Sequence, residues 1–153
     1  MDETVYSVGQ QHRIIFQVAT TQDLFTIWGF VDKYNDGHEI DRERVKVCLQ
    51  DMVYLKGVYL IKHEDKAIGG ISGFKIDSML TTDRLFMVMF LYIDSEFRYL
   101  AKKVIKEFEL CLLPENVTMV TFGFMKGKDS VKQLRFMKML GYEELDTHVM
   151  KRI

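Results

Sequence analysis

The chain has 153 residues, of which 48% are hydrophobic, and its 21 Lys and Arg against 22 Asp and Glu leave a net charge of −1. A chain of this size is most simply one domain, here residues 1–153, that buries about two-thirds of the surface its unfolded form exposes. The single proline and the apolar fraction exclude a disordered tail or a fibrous chain, and the balanced charge gives no mandate for nucleic acid or an anionic membrane.

Arg13-Ile14-Ile15-Phe16-Gln17-Val18 predicts a first strand. Thr20-Thr21-Gln22-Asp23 places an acid three residues after a hydroxyl, the arrangement of a capping box, and predicts a helix start. Leu24, Ile27, Trp28 and Val31 then recur at helical spacing until Asn35-Asp36-Gly37. A second helix is predicted over 41–56, with Val45, Cys48, Leu49, Met52 and Leu55 on one face and Gly57 as its stop. The β-rich runs 58–62 and 67–74 are separated by His63-Glu64-Asp65-Lys66, which predicts a hairpin with all four residues in the turn.

A strand over 85–93 leads to the polar corner Asp94-Ser95-Glu96-Phe97-Arg98. The helix expected over 100–113 presents Leu100, Val104, Phe108 and Cys111 and ends at Pro114. The near-continuous apolar run 117–125 predicts a strand buried on both faces. Ser130 is expected to cap a helix reaching Leu140, and 145–151 to close the chain as a strand.

Cys48 and Cys111 lie far apart on predicted apolar stripes, which predicts two buried, reduced thiols. His12, His38, His63 and His148 show no paired ligand spacing, so no metal is expected. The apolar run before the corner is too short to cross a bilayer and the N-terminus has no basic-then-apolar leader. The expectation is a cytoplasmic protein without a membrane partner, or a host-cytoplasm or virion protein if the gene belongs to a phage.

Two stretches carry a resemblance. Arg98-Tyr99-Leu100-Ala101-Lys102-Lys103 stands where the GNAT N-acetyltransferase superfamily has R-x-x-G-x-G, and Ser130 to Tyr142 is similar to its N-x-x-A-x-x-x-Y-x-x-x-G-F/Y. The element order β-α-α-β-β-β-α-β-α-β also resembles that superfamily. The resemblance implies an α/β fold with a mixed, mostly antiparallel central sheet flanked by helices. It also implies acetyl-CoA as cofactor, held by the backbone of Leu91, Tyr92 and Ile93, by the corner from Arg98 through Tyr99, Leu100, Ala101, Lys102 and Lys103, and by Ser130. The strand carrying Met87 to Ile93 is then expected to diverge from the strand at 117–124.

The departures bear on activity. Ala101 and Lys103 replace both glycines, Ser130 replaces Asn, Gln133 replaces Ala, and Met137 replaces the Tyr that protonates the departing thiolate in many members. A thioether cannot donate a proton, and Met137 reads as core packing. Asp94, Glu96, Tyr92 and His63 are candidate bases for an attacking amine, the two acids reading more readily as solvated turn residues, and no residue is assigned as catalytic. Two functions stay open: an N-acetyltransferase acting on an unidentified amine, and a non-catalytic binding or assembly protein with an unidentified protein partner. The lysine cluster Lys102, Lys103 and Lys106 and the run Arg135-Phe136-Met137-Lys138 are also similar to GNAT-like internal virion proteins of short-tailed phages. An enzyme requires a cleft between Ile93 and Thr121, which an assembly protein could fill with Phe122, Phe124 or Tyr99.

Overall fold

In the computed structural model, which describes residues 5–7, 13–35, 39–77, 81–123 and 129–144, the β-rich runs pair into one sheet in the order β1-β2-β3-β4-β5-β6. The strands are β1 Val5–Ser7, β2 Ile14–Val18, β3 Val58–His63, β4 Lys66–Asp77, β5 Arg84–Ile93 and β6 Met119–Phe122. The first five are antiparallel neighbours, and β6 runs parallel to β5. Helices α1 Leu24–Tyr34 and α2 Arg42–Tyr54 join β2 to β3, α3 Ala101–Cys111 joins β5 to β6, and α4 Ser130–Met139 follows. The chain divides into two compact units, Met1–Gly123 and Phe124–Ile153.

Local chemistry fixes the element ends. Asp23 Oδ2 accepts from both the backbone N–H of Thr20 at 2.9 Å and its hydroxyl at 3.0 Å, closing the entry to α1. Asp41 caps α2 by accepting from Arg44 N at 3.1 Å. Lys56, at φ 56°, takes the left-handed conformation that ends α2, and Gly57 N bonds back to Met52 O. Between β3 and β4, Glu64 and Asp65 both have positive φ, as a two-residue hairpin turn requires.

The strand side chains alternate between two cores. On one face, Ile14, Phe16, Ile61, Ile71, Phe86 and Val88 pack with Val104 and Phe108 of α3. On the other, Val58, Leu60 and Phe90 pack with Ile27, Phe30 and Val31 of α1 and Leu49 and Val53 of α2. Full burial of a side chain such as Phe108 contributes about 1.5–3 kcal/mol, so each face has enough apolar area to hold its helices.

The described order is β-β-α-α-β-β-β-α-β-α, and it departs from the sequence expectation in particular places. Val5–Ser7 forms an additional strand on β2. The strand expected at 145–151 lies outside the described residues. The run 117–125 gives a strand only over Met119–Phe122, and its four residues are half-buried rather than enclosed on both faces. His63 is not a turn residue: it ends β3 and is 6% exposed. Ser130 is the first residue of α4, with Asp129 at the cap position. Cys48 is exposed and Cys111 half-buried, because the stripe that α2 buries runs through Leu49 and Val53 and leaves Cys48 on its flank.

Candidate functional site

The site is organised by one extra residue. Ser72 of β4 pairs with Phe90 of β5, and Gly73 pairs with Val88, so Met89 has no opposite number. A bulge of this kind inserts a residue, bends its strand and reverses the facing of every side chain after it. The reversal is complete here. Phe86 and Val88 belong to the α3-side core, whereas Phe90 and Tyr92 belong to the opposite one.

Among the described residues, the β5–β6 pairing also ends at this position. The parallel register runs from Leu85↔Met119 to Val88↔Phe122 and stops there. Its start is clipped by side-chain chemistry: Arg84 N donates to Thr118 Oγ1 at 3.0 Å, and Thr118 N donates to the Arg84 carbonyl at 2.9 Å. Past the bulge, residues 90–93 pair with β4 but with no described strand on the β6 side. Among the described residues, the backbone of Leu91, Tyr92 and Ile93 is therefore paired on its β4 side alone. Gly69 lies opposite Ile93, and a Cβ there would collide with the Tyr92 carbonyl oxygen. Close approach of β4 fixes the segment from its other side.

The corner differs from a glycine loop. Ser95–Leu100 is a 3₁₀ helix that runs directly into α3. Phe97 N donates to the Asp94 carbonyl at 2.9 Å, and Ala101 N donates to the Arg98 carbonyl. Donors that a phosphate loop turns outward are thus used along the helix axis. Ala101 has φ −54° and ψ −43°, ordinary helical backbone in which alanine is favoured over glycine. Leu100 is buried, Ala101 and Lys103 are half-buried, and Arg98, Tyr99 and Lys102 are exposed. The corner offers side-chain cations where the motif would offer backbone. Phe97 anchors it by packing on the α3-side core, with Lys66 Nζ 4.8 Å above its ring and 3.0 Å from Glu96.

Asp94 is not simply a solvated turn residue. Its backbone N–H donates to the Ile68 carbonyl at 2.8 Å, and its carboxylate lies 2.8 Å from Lys33 Nζ of α1. Burial raises the Tyr92 phenol above its ordinary pKa, and the Asp94 charge adds to this, while Lys33 and Arg98 lower it in part. Hydrogen bonding to Asp94 in turn raises the Lys33 ammonium. Phe30 stacks near Tyr92 with centroids 5.9 Å apart, and Tyr34 meets Phe90 edge-on at 5.3 Å. Asp94, Tyr92, Lys33 and Arg98 therefore form one electrostatic group at the end of β5. Glu96, by contrast, is exposed and held by Lys66. His63 is buried beneath the corner beside Phe97, with Nε2 3.8 Å from Glu64.

Of the expected cleft fillers, Tyr99 is largely exposed and Phe122 packs in the α3-side core, 6.0 Å from Phe108. Phe124 lies outside the described residues. In the second unit, α4 carries Ser130 at its start and buries Met137, as expected of a packing methionine. The sequence reading missed Lys33 and the bulge. No local pattern links Lys33 to a residue 61 positions away. The bulge did have a signal, the glycine-rich run Gly69-Gly70-Ile71-Ser72-Gly73 in a strand.

Solved structures share this architecture. A possible acetyltransferase from Clostridium difficile 630 superposes with a TM-score of 0.67 at 20% identity, covering 92% of this chain and 97% of its own. The aminoglycoside N-acetyltransferase AAC(6')-Iy in complex with CoA gives a TM-score of 0.70 at 12% identity, covering 95% and 98%. A transcriptional regulator from Bacillus halodurans C-125 gives 0.62 at 13% identity, covering 92% and 99%. No protein-family model matches the sequence, and no curated protein does. The chain has the GNAT acetyltransferase fold, a mixed sheet with helices on both faces. Among the described residues no helix is long and apolar enough to cross a membrane.

Proposed function

We propose that the protein is an acetyl-CoA-dependent N-acetyltransferase acting on an amine. The observation that carries this reading is the bulge at Met89, after which the backbone of 89–93 pairs with no strand on the β6 side among the described residues. An extended strand edge of this kind offers alternating N–H and C=O groups to a ligand that carries amides of its own. Acetyl-CoA supplies an activated acetyl thioester when bound. Leu91, Tyr92 and Ile93 hold its arm, and N–H groups of the same segment stabilise the oxyanion. Arg98, with Lys102 and Lys103, meets the phosphates through charge, which partly replaces the backbone donors used up in the 3₁₀ helix. The location that accompanies this reading is the cytoplasm, of a host if the chain is phage-encoded.

A second reading, a non-catalytic GNAT-fold binding or assembly protein, draws on the helical corner and on buried Met137 where the motif has Tyr. The two differ in turnover. With acetyl-CoA and a panel of primary amines, the enzyme releases free CoA thiol above the amine-free rate, and Arg98→Ala reduces that release. Saturable acetyl-CoA binding without thiol release for any amine in the panel would favour the second reading.

A further inference from the structure

Lys33 is a long, flexible side chain, 55% exposed, yet its ammonium reaches from the last turn of α1 to a carboxylate that is only 19% exposed. Asp94 belongs to the first turn beyond residues 90–93 of β5, and Tyr92 stands in that segment. The ammonium also lies 5.9 Å from the centroid of the Phe30 ring, which itself packs 5.9 Å from the Tyr92 ring. A carboxylate beside aromatic faces is the chemistry that recognises an alkylammonium ion, by charge and by the ring quadrupole together. Lys33 is therefore an alkylammonium already bound in such a site, supplied by the protein itself.

We propose that Asp94, Tyr92 and Phe30 form a binding site for the primary ammonium group of an acceptor, and that Lys33 occupies it as a tethered competitor that the acceptor displaces. This rests on the acetyltransferase reading for its role, but not for its test. The tether gives Lys33 a high effective concentration, so an external amine meets the site only in the fraction of molecules whose lysine has swung out. An ion pair with exposed lysine, strengthened by one cation–π contact, is strong enough to lower the apparent affinity about fivefold to tenfold. The site selects a primary ammonium on a flexible chain, such as a lysine side chain or a polyamine. Anionic acceptors are repelled by Asp94.

The test is a titration of the protein with n-butylamine near neutral pH, without acetyl-CoA, followed by amide NMR shifts at Tyr92, Ile93 and Asp94. Lys33→Met should bind about fivefold to tenfold more tightly than the unmodified protein, and Lys33→Met with Asp94→Asn should bind no more than background. Thermal unfolding of each variant verifies the fold, and Lys33→Gln serves as a second opening substitution. Equal or weaker binding by both opened variants, or binding kept after Asp94→Asn, overturns the proposal and makes the bridge a latch between α1 and β5. Because acetyl-CoA is absent, a negative result counts against the amine site and leaves cofactor binding to its own titration.

Discussion

Ala101 and Lys103 look like losses when aligned with a glycine motif, yet both stand in helical backbone that gains nothing from glycine. What the sequence could not reveal was the conformation of the corner, because 3₁₀ and loop residues share composition. Side-chain exposure was equally hidden for the cysteines. Cys48 is exposed, while Cys111 is half-buried and its thiol is raised above 9.0 by burial and by the Glu107 charge. In a time course with an aqueous thiol reagent followed by mass, Cys48 should label first and Cys111 markedly later; simultaneous labelling would contradict this placement. Titration gives a second check at the residue scale. Tyr34 and Tyr92, Lys33 and Cys111 all have folded pKa values above their ordinary 10.0, 10.5 and 9.0. Each holds its proton more tightly folded than unfolded, so their contribution is present below those values and lost as pH rises through the folded ones. The urea midpoint should be insensitive to these groups up to about pH 9 and fall above it; a midpoint that rises toward about pH 11 would contradict the assignment.

At the scale of elements, periodicity made α1, α3 and the strands β2 to β5 legible, since each buries the face its apolar spacing marks, whereas α2 buries Leu49 and Val53 and leaves the expected Cys48 and Leu55 exposed. It misjudged β6, because an apolar run does not report how many neighbours a strand has. The element that decides the site is β5, whose bulge needs glycine-rich β4 beside it. Gly69→Ala tests this directly, since the added methyl meets the Tyr92 carbonyl oxygen and Ile93 Cα, which are backbone and cannot rotate away. The substitution should lower unfolding free energy by about 1–3 kcal/mol, as overpacking does, and weaken acetyl-CoA binding with it. Gly123→Ala, with nothing within 4 Å of the new methyl, should leave stability within about 0.5 kcal/mol in the same denaturation experiment.

Over the whole molecule, sequence order pointed to the fold while long-range electrostatics stayed out of sight. The Lys33–Asp94 and Lys66–Glu96 bridges link positions 61 and 30 residues apart, distances over which sequence shows no pattern. They tie α1 and β4 to the segment around the end of β5, where residues 90–93 meet the cationic corner. The central claim is that this place binds acetyl-CoA. Isothermal titration of the unmodified protein with acetyl-CoA tests it most directly, with Arg98→Ala as the companion. The account predicts saturable binding that weakens by about tenfold to a hundredfold when the Arg98 charge is removed, the range of one charge-assisted contact of roughly 1.5–3 kcal/mol. No heat of binding at millimolar acetyl-CoA, confirmed by unchanged amide NMR shifts at Leu91, Tyr92 and Ile93, would contradict it.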